Sequence, residues 1–173
     1  MVAPMSVTAT LVIGADGSSS LLGSSEGITS PEDRRQFLAR RRQSDVILIG
    51  GKTALHERYR RTPVPLVVIS HTYPAVVGQN PLAHWWNLSP TEAIKRASEE
   101  FGPSVFIEGG ATMLRELLSI GAIMQFDLSI TPATGGENRV DASELLSHFK
   151  RITRSEVNGT IFYRCTDPIT LQK

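Results

Sequence analysis

Short apolar runs separated by glycine-rich turns and helical stretches set the plan of this chain. Residues 7–13 are an apolar and threonine-rich run and predict a central strand, followed by a turn at Gly14-Ala15-Asp16-Gly17. Residues 18–27, rich in Ser and Gly, predict a loop. Ser30-Pro31-Glu32-Asp33 opens a helix: a good N-cap, a proline suited to the first position and two acids in a solvated first turn. That helix carries Phe37 and Leu38 inward and ends in Arg40-Arg41-Arg42. Strands are predicted at 46–49 and 66–69, with a basic loop at 58–63 between them and a further loop at 74–81. Residues 84–88 fit a short strand or a packed loop. Ser89-Pro90-Thr91-Glu92 caps a helix to about Phe101, stopped by Gly102-Pro103. Strands follow at 105–108 and 126–131, a loop at 134–137 and a short helix at 142–148. Two last strands, 149–157 and 160–165, meet at Asn158-Gly159, a strong hairpin signal.

This order predicts an α/β domain with a mostly parallel central sheet and an antiparallel C-terminal hairpin. Residues 1–173 are expected to form a single domain, with residues 1–6 as a loose leader.

The run from Val105 to Leu114 concentrates the candidate chemistry. A buried strand ends in Glu108, Gly109 and Gly110, and a helix starts at once with Ala111, Thr112, Met113 and Leu114. Glycines allow close backbone approach, and a helix start offers unpaired N–H groups to an anion. Glu108 falls at the carboxyl end of its strand, where open α/β sheets place ligands. A second junction of this kind is Gly50-Gly51-Lys52-Thr53. Taken alone, the first junction reads equally as a plain tight turn, and the second reads first as one. Neither has Walker spacing, and no G-x-G-x-x-G follows the first strand. The three arginines at 40–42 read first as solvated helix-end charge, and second as a phosphate contact.

Composition narrows the picture without redirecting it. The chain is 40% hydrophobic and 20% charged with a net charge of +1, so no nucleic-acid or anionic-membrane partner is indicated. No apolar run approaches the roughly 18 residues of a membrane span. The N-terminus lacks a signal-peptide pattern, and a cytoplasmic location is expected. The lone Cys165 fits a reducing compartment and a core position. His71 and His84 lack ligands at metal spacing, so no metal is expected. The Trp85-Trp86 pair reads as core or interface.

In family order, Ala15-Asp16-Gly17, Gly27-Ile28-Thr29-Ser30-Pro31, Arg40-Arg41 through Gly50, Thr53, Phe106-Ile107-Glu108-Gly109-Gly110, Asp127-Leu128 and Thr131-Pro132 cover most of the chain. Together they resemble the reductase domain of riboflavin biosynthesis, the C-terminal half of the bacterial deaminase-reductase. The resemblance implies a three-layer dihydrofolate-reductase-like fold and an NADPH-dependent oxidoreductase. Its substrate would be a ribosylamino-pyrimidine phosphate, with hydride passing from the nicotinamide to C1 of the opened ribose. It implies that Gly27, Thr53, Ser70 and residues 110–114 face NADPH, beside the glycine junctions Gly50, Gly51 and Gly109. Ser25, Arg41 and Glu108 would face substrate, with Asp16 close by. Arg41 could grip a phosphate with two donors. Asp16 and Glu108 are the carboxylates nominated to supply the proton that accompanies the hydride. A homodimer is implied, with the apolar run 122–124 near its interface.

The chain also departs from that pattern. Where the family carries an acidic pair, a proline, a leucine and an arginine, this chain reads His56-Glu57-Arg58-Tyr59-Arg60-Arg61. Glu57 is in place to replace the first acid. Arg58, Arg60 or Arg61 would take over the phosphate contact, discriminate a 2′-phosphate, or be surface charge. No zinc-deaminase signature is present. Two alternatives stand beside the reductase reading: a pterin or dihydrofolate reductase of the same fold, and a non-catalytic NADP-binding module. No acid suited to a folate pocket is apparent in the first helix, because Glu32 and Asp33 are read as solvated.

Overall fold

A computed structural model describes residues 3–170. Its main sheet has eight strands in the order β5-β4-β3-β6-β1-β7-β10-β9. These are β1 (Ser6–Gly14), β3 (Val46–Gly50), β4 (Leu66–Ile69), β5 (Ala83–Trp86), β6 (Ser104–Glu108), β7 (Gln125–Thr131), β9 (Phe149–Val157) and β10 (Thr160–Pro168). The six strands from β5 to β7 run parallel, while β10 lies antiparallel to β7 and β9 antiparallel to β10. The helices are α1 (Pro31–Gln43), α2 (Gly51–His56), α3 (Pro90–Glu100), α4 (Ala111–Ser119) and α5 (Ala142–Leu146). The mostly parallel sheet with an antiparallel C-terminal pair is the expected one. Asn158 and Gly159 both take positive φ, as a two-residue hairpin turn requires.

Two apolar layers bracket the sheet. On one face Ile47, Ile49, Leu66, Val68 and Phe106 meet Phe37 of α1. On the other, Val7, Ala9, Leu48, Val105 and Ile107 meet Ile94 and Ala97 of α3 and Leu114, Leu117 and Leu118 of α4. The three leucines of α4 are at most 1% exposed; burying each contributes roughly 1.5–3 kcal/mol. Cys165 is buried in this second layer. Strands covered on both faces read as continuous apolar runs, which is why 46–49 and 105–107 lack alternation.

Helix α1 is different. It has few large apolar side chains, and its buried residues are Asp33 and Arg41. Its fit to the sheet is therefore made largely of charge. Ser30 accepts from the Asp33 N–H as the expected cap. Asp33 itself is only 5% exposed and accepts from the Thr29 hydroxyl at 2.5 Å. The expectation that both first-turn acids are solvated is corrected for Asp33: it sits on the inward stripe of the helix. The solvated reading of the three arginines likewise holds only for Arg42, since Arg41 is buried and Arg40 partly so.

Other boundaries differ for local reasons. The expected loop 18–27 begins with strand β2 (Ser18–Ser20), paired with β8 (Glu137–Arg139). Both are short and wholly polar, so no apolar alternation announces them. The 74–81 loop holds a 3-10 turn, Ala75–Gly78. The alternative at 84–88 resolves as β5, with Trp86 buried and Trp85 exposed. Strand β10 runs past residue 165 to Pro168, and α5 ends at Leu146. Of the expected leader, Ser6 already belongs to β1, while Met1 and Val2 lie outside the described residues. In the 122–124 run, Ile123 is fully buried and Met124 half-exposed. Among the described residues, no helix is long and apolar enough to cross a membrane.

Candidate active site

The sheet's parallel register carries the carboxyl ends of β1, β3 and β6 to one edge, where both glycine junctions lie. Gly110 is the N-cap of α4 at φ 80°, and Gly109 has φ 62°. A side chain is strained in this left-handed region, so the glycines are required by the turn itself. No side chain caps α4. The Leu114 N–H bonds the Gly110 carbonyl, and its side chain is fully buried, so Leu114 serves packing. The N–H groups of Ala111, Thr112 and Met113 are the ones a helix start leaves for an anion.

The second junction comes to the first through Thr53. A Cβ at residue 110 would stand 3.4 Å from Thr53 Oγ1, and one at residue 109 would stand 3.8 Å from it. Gly50 is the N-cap of α2, again without a side-chain cap. Gly51 is needed for space, because a Cβ there would stand 2.9 Å from Ser70 Oγ. Ser70 follows β4 and donates to the Thr72 carbonyl at 2.7 Å. It also lines a cleft of about 410 Å³ with Ile69, His71, Asn87 and Ser89. Gly50, Gly51, Thr53, Ser70, Gly109 and Gly110 thus form one connected surface, although they come from three separate stretches.

Next to Gly109 in the chain, Glu108 is the centre of a buried ionic knot. Glu108 is 2% exposed and Arg41 7%. Arg41 Nε donates to Glu108 Oε1 and Nη2 to Oε2, each at 2.6 Å. The Tyr59 hydroxyl donates to Oε2 at 2.7 Å. The Arg41 guanidinium also lies 4.4 Å from the Phe37 ring centroid and 5.1 Å from that of Tyr59. Burial pushes the Glu108 carboxyl above its ordinary value, while Arg41 and Tyr59 draw it back toward the anion. Burial, reinforced by the Glu108 charge, pushes the Tyr59 hydroxyl well above its usual range, so it remains a donor. The Glu108 bonds outweigh burial at Arg41 and hold its pKa above the ordinary value.

Sequence reasoning brought Arg41 and Glu108 to one site and missed Tyr59. Its signal was a single aromatic among the arginines of the 58–61 loop, whose ring is 4% exposed. The expected two-donor grip of Arg41 exists, but it closes on Glu108.

Ser25 and Gly27 sit in the turn before α1. Ser25 N–H donates to Glu57 Oε1 at 2.7 Å, tying that turn to the end of α2. Gly27 packs against Leu21, whose Cδ2 would lie 2.8 Å from a Cβ there. Asp16 bonds to a separate set of partners. Its Oδ1 accepts from the Ser18 hydroxyl at 2.6 Å and the Ser18 N–H at 3.1 Å, and its Oδ2 accepts from the Gly135 N–H at 2.8 Å. Arg139 adds an ion pair at 3.2 Å. The Ser18 hydroxyl, then the two N–H groups, hold this carboxyl well below the usual carboxylate range. Among the described residues no hydrogen bond or ion pair joins Asp16 to the Glu108 knot. His71 pairs through Nδ1 with Asn87 at 3.0 Å, and no cluster of three metal-ligating side chains occurs among the described residues.

Comparison with solved structures places this architecture among the reductase domains of dihydrofolate-reductase-like fold. A deaminase/5-amino-6-(5-phosphoribosylamino)uracil reductase from Thermotoga maritima aligns with TM-score 0.70 and 15% identity, over 96% of this chain and 57% of that one. This chain therefore spans little more than half of that bifunctional protein. A pyrimidine reductase-like protein from Corynebacterium diphtheriae aligns with TM-score 0.68 and 19% identity, over 94% and 91% of the two chains. A riboflavin biosynthesis reductase from Saccharomyces cerevisiae aligns with TM-score 0.63 and 16% identity, over 94% and 90%. No curated protein matches the sequence. The sequence itself is matched over residues 5–157 by the RibD C-terminal domain, and the chain belongs to that family.

Proposed function

We propose that this chain is an NADPH-dependent reductase acting on the open-chain ribose of a ribosylamino-pyrimidine phosphate. The observation that carries the reading is the meeting of Thr53 with Gly109-Gly110, the residues that follow the bonded Glu108 in the chain. The cradle fits a dinucleotide: positive-φ glycines that a Cβ would strain, an uncapped α4 start, the Thr53 hydroxyl, and the cleft at Ser70. Gly27, Gly50, Gly51, Thr53, Ser70 and residues 109–113 would hold the cofactor, with Leu114 packing behind them.

Bound NADPH supplies a hydride, and the protein supplies position. In the opened substrate C1 is doubly bonded to nitrogen. As the C1–H bond forms, the π electrons become a nitrogen lone pair that takes a proton. Glu108 accepts hydrogen bonds from the substrate's hydroxyl or amino groups, with Arg41 and Tyr59 fixing its orientation. Ser25, tied to Glu57, borders the substrate side. Asp16 is an anion at neutral pH and a poor proton source. In this reading it anchors the β2–β8 arm, and the proton reaches nitrogen through water. The assembly is a homodimer located in the cytoplasm.

Buried Asp33 favours a second reading, a pterin or dihydrofolate reductase, because an interior acid in α1 is now present. One assay separates the readings. Loss of NADPH absorbance is followed with the aminated and deaminated ribosylamino-pyrimidine phosphates and with dihydrofolate. Consumption with a pyrimidine alone is expected. Consumption with dihydrofolate alone would move the protein to the second reading. Binding of NADPH without turnover of any would leave a nucleotide-binding module.

A further inference from the structure

We propose that Arg34 is the residue that takes the phosphate of the substrate, an assignment resting on the reductase reading above. Residues 34, 37 and 41 recur at i, i+3 and i+7 and so share one stripe of α1. The Phe37 ring serves both guanidiniums on that stripe. Arg41 lies 4.4 Å from its centroid and Arg34 5.8 Å.

The two differ in what they have left to offer. Arg41 is buried, and its Nε and Nη2 are spent on Glu108 at 2.6 Å. Gripping a phosphate with that fork would strand a buried carboxylate. Arg34 is exposed and forms no ion pair or side-chain hydrogen bond among the described residues. Its charge nonetheless reaches the knot, because it is one of those that draw the Glu108 carboxyl toward its anion. A guanidinium steadied on an aromatic ring loses less freedom when it closes on a dianion.

Four of the neighbouring arginines are committed elsewhere. Arg35 pairs with Glu32 at 3.3 Å and Arg40 with Asp127 at 3.1 Å. On the basic loop, Arg58 pairs with Glu26 at 3.7 Å and Arg60 donates to Gln79 at 3.1 Å. Arg61 is exposed but has no ring contact that fixes it beside Glu108.

The test compares the phosphorylated substrate with its dephosphorylated form, measuring kcat and KM for the wild type, R34A, R34K, R35A and R61A. For R34A, KM for the phosphorylated form rises roughly tenfold to a hundredfold, the range of a hydrogen bond to a charged group. The penalty is confined to that form, and R34K recovers part of it. R35A, whose side chain faces solvent beside Glu32, keeps wild-type discrimination. Equal losses on both substrates, no loss, or loss of discrimination in R61A instead would overturn the assignment while leaving the reductase reading intact. No turnover of either form by the wild type would overturn that reading, and the assignment with it.

Discussion

Glu108 and Asp127 stand in one row across the sheet, each in register with Thr10 of β1 between them. Two consecutive residues of α1 take one carboxylate each: Arg41 binds Glu108 at 2.6 Å and Arg40 binds Asp127 at 3.1 Å. Arg164 of β10 holds the other oxygen of Asp127 at 2.8 Å. A helix with few large apolar side chains is thereby fixed in register by ions. The same fixing orients Glu108 at the end of β6, next to Gly109.

Replacing Glu108 with Gln leaves Arg41 buried without its counter-charge. Breaking a buried pair from one side costs about 3–5 kcal/mol. E108Q is therefore expected to unfold at clearly lower urea while remaining folded in buffer. It is also expected to lose turnover yet keep NADPH affinity, measured by fluorescence titration. Unchanged turnover would remove Glu108 from the site.

Tyr59→Phe deletes one hydrogen bond to a charged group and little volume. The expected cost is about 1.5–3 kcal/mol in urea unfolding. Wild-type stability in Y59F would mean that Arg41 alone orients Glu108.

What the sequence made legible was local. Apolar runs, Gly-Gly junctions, the Ser30 and Ser89 caps and the Asn158-Gly159 turn each depend on residues a few positions apart, and all are in place. Arg41, Glu108 and Thr53 were also found, through a resemblance in motif order. What stayed hidden depends on distant partners. Asp33 and Tyr59 look solvated in sequence, because nothing local marks the buried surface they meet. Strands β2 and β8 carry no apolar alternation at all. They pair through backbone, beside the Asp16 contacts to Ser18, Gly135 and Arg139.

Those contacts predict an acid response. The Asp16 carboxyl titrates lower in the folded chain than its ordinary 3.8. Its contribution is therefore complete above that value and fades as pH falls below it. D16N is expected to lose that acid-dependent part and to open the β2–β8 arm, read as faster proteolytic cleavage near residues 134–139 at neutral pH. Cleavage unchanged from wild type would deny Asp16 its anchoring role.

An alkaline response comes from Cys165. Burial first, and Asp127 second, push its thiol from 9.0 up to about 11. A folded-state value above the unfolded one stabilises below pH 9, and the contribution disappears as pH rises to about 11. The stability gap between wild type and C165A in urea is thus expected to narrow across that window. A gap constant with pH would show that the thiol does not ionise on unfolding.

The central claim is that hydride reaches C1 of the substrate's ribose. NADPH deuterated on the transferred face of C4 of the nicotinamide, incubated with the ribosylamino-pyrimidine phosphate, tests it by proton NMR and mass spectrometry of the product. The account predicts a ribityl product one mass unit heavier, with the deuterium at C1. A product without deuterium, deuterium on the pyrimidine ring, or turnover with dihydrofolate alone would contradict it.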